Sequence, residues 1–369
     1  MISAKVFKTL FALCIVVAVI AAACIGFILG YDYVREQNVR LEKLQSGILV
    51  ITEETPGAEM IIIPRGSDTK DIANILEDSK IIKNTLLFTL LSKINGFDGT
   101  YLAGTHYVTD ELSYDEIMFL LSQQPQSIEV TFKEGLSYLQ LKEELTQAGV
   151  MYDEAALDKI VNKPSLFTEY DFVAGIPSVS GRQFALQGYL FPDTYRFDKN
   201  TLEEDIIAKF LSNAEIKIQK AYYERAERLG MTMDQVITLA AIIEKESSSL
   251  QDMRDVSGVF YNRMRSGDTS MNYLQSCATI NYLREQQGLP PILVVSEKDM
   301  AISSPYNTYR NAGLPPGPIC SPGLQAIQAA LYPMSHGFYY FVADGEGNNV
   351  YSSTLAEHEA KIAQYYPDE

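Results

Sequence analysis

TMDQVITLAAIIEKESSS, from Thr232 to Ser249, is the stretch from which the rest of the chain can be read. Thr232 has the chemistry of a helix N-cap, and Gln235 follows at capping-box spacing. Val236 to Ile243 is apolar apart from Thr238. A helix of that composition is buried on most sides. It ends by presenting two acids, Glu244 and Glu246, around Lys245.

At about 100° per residue, Glu246 falls between Leu239 and Ile242, and Glu244 falls beside Ile237, Ala240 and Ala241. The two carboxyl groups point to nearly opposite flanks and cannot flank one bond. They do not form the paired-carboxylate site of an ordinary glycosidase. Burial and the negative end of a helix dipole both disfavour an ionised carboxylate, so either acid can be tuned to give up a proton near neutral pH. On the local pattern alone, an exposed helix end with solvated Glu and Lys is the favoured reading of the triplet.

The 369 residues suffice for one large or two moderate domains, and 47% hydrophobic content supports a sizeable core. A net charge of −17 excludes a nucleic-acid partner, whose phosphates need a basic footprint. With no Trp and 23 Tyr, any stacking surface for a sugar falls to Tyr. Four cysteines (Cys14, Cys24, Cys277, Cys320) form no CxxC or framework, although Cys277 and Cys320 can pair. His106, His336 and His358 show no metal-ligand spacing, so neither a metal nor an organic cofactor is expected.

Lys5 and Lys8 lie in a short tail, residues 1–9, ahead of an uncharged run over 10–30 long enough to span a bilayer. Asp32 and Glu36 follow at once, which orients the tail inward and the bulk of the chain outside the cytoplasm. Ala21 to Ala23 also suit a signal peptidase, but an uncleaved anchor is the favoured reading. Residues 31–58 are polar and read as a stalk. Residues 59–127 run strand, helix, helix, strand and a further helix, which suits a small LysM-like module. The remainder, 128–369, mixes helices with short strands: a strand near Ile128, a strand broken by a turn in LQGYLFPDTYRF (Leu186–Phe197), one long helix over Leu202–Leu229, an irregular Leu274–Ile280, and a Pro/Gly-rich segment from Ser304 to Gly323. The fold class is α+β: a transmembrane helix, a LysM-like module and a mixed α+β domain.

Signatures of nucleophilic hydrolases are absent. What remains is an acid at the end of a buried helix, an aromatic strand and a long loop of Pro, Gly, Tyr and Asn. LQGYLFPDTYRF, LAAIIEKE, VSGVFYNRM, LQSCATI, SPYNTYRNAGLPPGPICSPG and YYFVADGEGNNVYSSTLAEH occur in that order. Together they resemble the signature blocks of the MltG-type (YceG-like) endolytic murein transglycosylases, from about residue 60 onward.

The resemblance implies a membrane-anchored lytic transglycosylase acting on peptidoglycan glycan strands outside the cell membrane. It implies Glu246 as the catalytic acid and base, cleavage of the MurNAc-β-1,4-GlcNAc bond, and a 1,6-anhydro end formed by the sugar's own 6-hydroxyl. A role in ending glycan polymerisation, with penicillin-binding synthases as partners, is likewise implied. Tyr306, Asn307 and Thr308 either line the sugar groove or brace their loop. Gln275 is a candidate hydrogen-bond partner for substrate. Tyr189, with Asp193 and Tyr195, either meets substrate or holds its strand and turn. Two positions depart from the family's usual pattern: Gln187 replaces Glu, and Cys277-Ala278 replaces Asp-Pro. They keep open a peptidoglycan-binding scaffold with impaired catalysis.

Overall fold

The computed structural model describes residues 4–247, 249–345 and 347–366. Met1 to Ser3 of the basic tail, Ser248 of the helix-end stretch and Glu346 of the Asp344–Gly347 turn lie outside the described residues. The chain divides after Ser127 into two compact units.

The first unit begins with α1 (Ala4–Gln45), whose part from Ile15 on is long and apolar enough to cross a membrane. The helix does not stop at the end of the apolar run. It continues through the polar segment, where Arg40 donates to the buried Glu116 at 2.5 and 2.9 Å. Leu44 and Ile51 are buried in this unit's core, so the segment read as a stalk is partly built into the unit.

β1 (Ala58–Ile63), α2 (Thr69–Asp78), α3 (Thr85–Ile94), β2 (Gly104–Thr109) and α4 (Tyr114–Ser122) complete the unit. The helices start where local chemistry satisfies their first N–H groups: Asp68, Asn84 and Ser113 accept those bonds. β1 and β2 pair antiparallel, from Ala58 opposite Thr109 to Ile63 opposite Gly104. Ile61, Ile63, Ile72, Leu76, Phe88 and Ile117 form the core between sheet and helices.

β3 (Ser127–Thr131) runs from the boundary into the second unit and pairs with β4 (Thr194–Asp198). Between them come α5 (Tyr138–Gln147), α6 (Glu154–Val161) and the short α7 (Asp171–Ala174). Only the end of LQGYLFPDTYRF is strand. Leu186 to Pro192 is a buried series of turns in which Gly188 adopts φ +93°, and a Cβ there would lie 2.4 Å from the ring of Pro318.

The expected long helix over 202–229 is two helices, α8 (Glu203–Lys217) and α9 (Lys220–Leu229). Ile218 leaves helical geometry and is itself buried, so the bend lets both helices meet the core. At the centre stands α10 (Met233–Glu246), with its capping box formed by Thr232 and Gln235. Val236, Ile237 and Leu239 to Ile243 are completely buried, each large side chain contributing about 1.5–3 kcal/mol relative to exposure.

α11 (Leu250–Met264), α12 (Cys277–Glu285), the short α13 (Glu297–Met300) and α14 (Leu324–Leu331) follow, and α11, α12 and α14 pack on α10. β5 (Tyr340–Ala343) and β6 (Asn349–Ser352) form an antiparallel hairpin, and α15 (Leu355–Tyr365) lies against it. Among the described residues the strands form three two-stranded sheets, so the architecture is mixed helix and sheet with no extended sheet.

Candidate active site around Glu246

α10 delivers its two acids to different neighbours. Glu246 is its last residue, partly exposed, with its carboxyl group turned towards the start of α12. The Ser276 hydroxyl donates to Glu246 Oε1 at 2.5 Å, and the backbone N–H of Ala278 also binds the carboxylate. Ser276 is the N-cap of α12 but makes no side-chain cap bond. One orphan N–H of α12, that of Ala278, is met instead by an acid more than thirty residues earlier in the chain.

The electrostatics of Glu246 are opposed. Burial raises its pKa, while Ser276 and the Ala278 N–H lower it, and the net shift is upward. The surroundings thus favour a neutral acid, yet donors stand ready for the carboxylate that a proton transfer leaves behind.

Glu244 takes the other flank, as the helical wheel requires. Its Oε2 accepts the Gly323 N–H at 2.9 Å, at the start of α14, and burial raises its pKa, helped by nearby Glu134. Behind Glu246, the Asn349 amide donates to the Glu246 carbonyl at 3.1 Å and to Asp252 at 2.8 Å. Asp252 also accepts from Ser247 and Tyr351, so its oxygens are engaged.

A strap over 272–276 holds Ser276. Gln275 has φ +52°, a left-handed conformation rare for a side chain of this kind. Its carbonyl oxygen Oε1 accepts from Arg263 at 2.6 Å, and its N–H donates to the Thr308 carbonyl at 3.2 Å. Gln275 is exposed and sits beside the acid-binding Ser276, whereas Arg263 is buried and stands over the Tyr340 ring.

The other candidate groove residues are buried and engaged. Thr308 Oγ1 accepts the Ser276 N–H at 3.0 Å and meets Thr279 Oγ1 at 2.9 Å. The Asn307 amide donates to the carbonyls of Met300 and Ile302 at 3.0 and 2.8 Å. Tyr306 accepts the Gln183 N–H at 3.1 Å, and its ring packs on Tyr282. Tyr189 donates to Asp234 at 3.0 Å, and Asp234 is also bound by both terminal nitrogens of Arg182. That trio lies at the start of α10, the opposite end from Glu246.

The structure therefore gathers Glu246, Ser276, Gln275 and Thr308, and leaves Tyr189 apart. It adds Tyr309, which the sequence reading passed over. Tyr309 is half-buried, and its hydroxyl is held neutral by burial and by the neighbouring Cys277 and Glu246. Its place directly after Tyr306–Thr308 was the available signal.

The two departures from the family pattern occupy different settings. Gln187 is completely buried, accepts the Tyr138 N–H at 2.8 Å, and donates to the Pro318 carbonyl at 2.7 Å and to Tyr282 at 3.1 Å. It does the work a protonated Glu would do there. Cys277 is the first residue of α12, and burial with Glu246 nearby pushes its thiol up to about 11. Cys277 and Cys320 are unpaired. Among the described residues no group of three or more His, Cys, Asp or Glu is placed to hold a metal ion. A cavity of about 880 Å³ lies by the start of α10 between Thr232, Asn272 and Pro316, and Glu246 does not line it.

Residues 61–364 match the YceG-like family. Proteins of two Streptococcus pneumoniae strains, each named endolytic murein transglycosylase, are 28% identical over 364 residues, covering 92% of this chain and 62% of each relative. The chain thus spans less than two thirds of their length. A Bacillus subtilis protein of the same name is 30% identical over 312 residues, covering 83% of this chain and 84% of the relative. The crystal structure of a yceG-like protein from Listeria monocytogenes aligns with a TM-score of 0.56 at 28% identity, over 82% of this chain and 98% of that one.

Proposed function

This chain belongs to the YceG-like family, and from that premise we propose that it is an endolytic murein transglycosylase with Glu246 as its single acid–base group. The observation that carries the reading is the Glu246 site itself. A carboxyl group whose pKa burial raises meets the Ser276 hydroxyl and the Ala278 N–H at a helix N-terminus, which stabilise its conjugate base.

Glu246 gives its proton to the oxygen joining MurNAc to GlcNAc. The C1–O4 bond breaks, the GlcNAc leaves as an alcohol, and positive charge develops at MurNAc C1. The 6-hydroxyl of the same MurNAc attacks that carbon, and its proton returns to Glu246. The product is a 1,6-anhydro end, no water is consumed, and the acid is regenerated. An intramolecular nucleophile removes the need for a second carboxylate to activate water. Ser276 holds the carboxylate between the two transfers. Gln275 and Tyr309 border the acid and are the substrate contacts in this reading, and Thr308 fixes the strap. Tyr306, Asn307 and Tyr189 act through the fold.

α1 serves as a single-pass anchor, with Lys5 and Lys8 inside and the units outside the cytoplasm. The β1–α2–α3–β2 order supports reading residues 59–127 as a LysM-like module, with 128–369 as the catalytic domain. Nascent glycan strands are the substrate, cut during polymerisation alongside penicillin-binding synthases.

The test incubates the chain, in detergent, with uncrosslinked glycan strands and analyses the ends by mass spectrometry. Anhydro-MurNAc ends that vanish in Glu246→Gln, with binding kept, support the enzyme. Binding without any cleavage makes the chain a scaffold, the alternative kept open by Cys277 beside the acid.

A further inference from the structure

The first unit presents an apolar face that none of its own described residues covers. On α3, Leu86 is 81% exposed, Ile94 68%, Leu90 55% and Leu87 44%. Positions 86, 90 and 94 are four apart and share one side of the helix, while Phe88 and Ser92 are buried on the other. A contiguous apolar surface of this kind on a helix marks an interaction site.

The charge around it is unlike the rest of the molecule. The chain carries −17, yet 79–97 holds Lys80, Lys83 and Lys93 and no acid. All three lysines are exposed. Glu77 and Asp78 precede this segment at the end of α2, and of the acids on its other sides Asp98 and Asp115 are bound by Thr69 and Asn95. Leucines on one face with lysines at their border are the composition of a helix that lies in a membrane interface.

The same unit is fixed to the candidate membrane span. Arg40 of α1 binds Glu116, and Leu44 enters the core. Ten helical residues separate Gly30 from Arg40, about 15 Å. A unit of this size has a radius of gyration of about 12 Å, and headgroups extend about 5–8 Å beyond the hydrocarbon. The unit is therefore held within reach of the lipid surface.

We propose that the exposed face of α3 docks on an anionic lipid surface, with Leu86, Leu90 and Ile94 among the upper acyl segments and Lys83 and Lys93 at the phosphates. The proposal rests on α1 being the anchor. A second copy of the chain is a poorer occupant, because a two-fold contact would set the lysine rims against each other. Docking gives the unit a second foothold on the membrane and fixes its tilt on α1.

The absence of Trp from the chain supplies a clean test. Leu90→Trp, and separately Leu86→Trp, each create a single reporter at an exposed position. The full chain is reconstituted into vesicles of phosphatidylglycerol and phosphatidylethanolamine with brominated acyl chains. Blue-shifted emission quenched by the bromines is expected, with the quenching lost in phosphatidylcholine vesicles and in the Lys83→Glu, Lys93→Glu background. A chain that co-floats with vesicles but gives red-shifted, unquenched emission overturns the proposal alone. Blue-shifted but unquenched emission does so too, since protein then covers the face. A chain that does not co-float overturns the anchor and the proposal with it.

Discussion

The hydroxyl of Ser276 lies 2.5 Å from Glu246 Oε1, and with the Ala278 N–H on the same carboxylate the last residue of α10 caps α12. One carboxyl group thereby joins two helices and sits at the positive end of one of them. Replacing Ser276 with Ala removes a bond that favours the carboxylate. The Glu246 pKa then rises further, and the limb of the pH–rate profile where activity falls with rising pH moves to higher pH. A hydrogen bond to a charged group is worth about 1.5–3 kcal/mol, so cleavage drops by about tenfold or more. Ser276→Thr keeps the hydroxyl and the profile. Initial rates across pH check both variants.

Glu246→Gln separates catalysis from stability. Cleavage falls by about 10²–10⁴-fold, the usual worth of a general acid. Stability moves the other way. The folded-state pKa of Glu246 is raised, so the folded protein favours the protonated group. The wild type therefore loses stability as pH rises from the ordinary carboxyl value through the raised one. Above that window the Gln variant melts at a higher temperature than wild type, and below it the advantage disappears. Thermal melts at acidic and neutral pH measure the difference.

Gln275→Ala takes away the side-chain oxygen that faces the buried Arg263 guanidinium. A buried donor left without its partner costs about 1–3 kcal/mol, read as a lower denaturant midpoint. Gln275→Gly relieves the φ +52° backbone but loses the same bond, so it recovers part of the stability and none of the Arg263 contact.

Gln187→Glu installs the residue that the resemblance implies at this position and is expected to harm this chain at neutral pH. The Gln187 amide donates to the Pro318 carbonyl, which a carboxylate cannot do. The introduced acid folds only when protonated, so its folded pKa is raised. Stability is present below its unfolded pKa and lost as pH rises through the folded one. Chemical denaturation at acidic and neutral pH checks this, with an activity gain at neutral pH as the contrary result.

Much of the fold is legible because its signals are local. The capping box of Thr232 and Gln235, the caps at Ser113 and Ser137, and the turn residues Asp344 and Gly345 between β5 and β6 all lie within a few residues of what they decide. The α12 helix is not legible, because its N-terminal partner is Glu246, far back in the chain, and 274–280 reads as irregular without it. The break between α8 and α9 is hidden for a similar reason. Ile218 prefers the core to the helix, and only packing reveals that. At the site, wheel geometry sends Glu246 and Glu244 to separate flanks. It cannot show that Tyr306 and Asn307 spend their polar groups inside the fold while Tyr309 approaches the acid.

The account turns on the sugar supplying its own attacking oxygen once Glu246 has given up a proton. The most direct measurement runs the reaction with uncrosslinked glycan strands in water labelled with oxygen-18 and weighs the new MurNAc ends. The account predicts anhydro ends free of the label. Reducing ends carrying oxygen-18 would contradict it, since water would then have been the nucleophile.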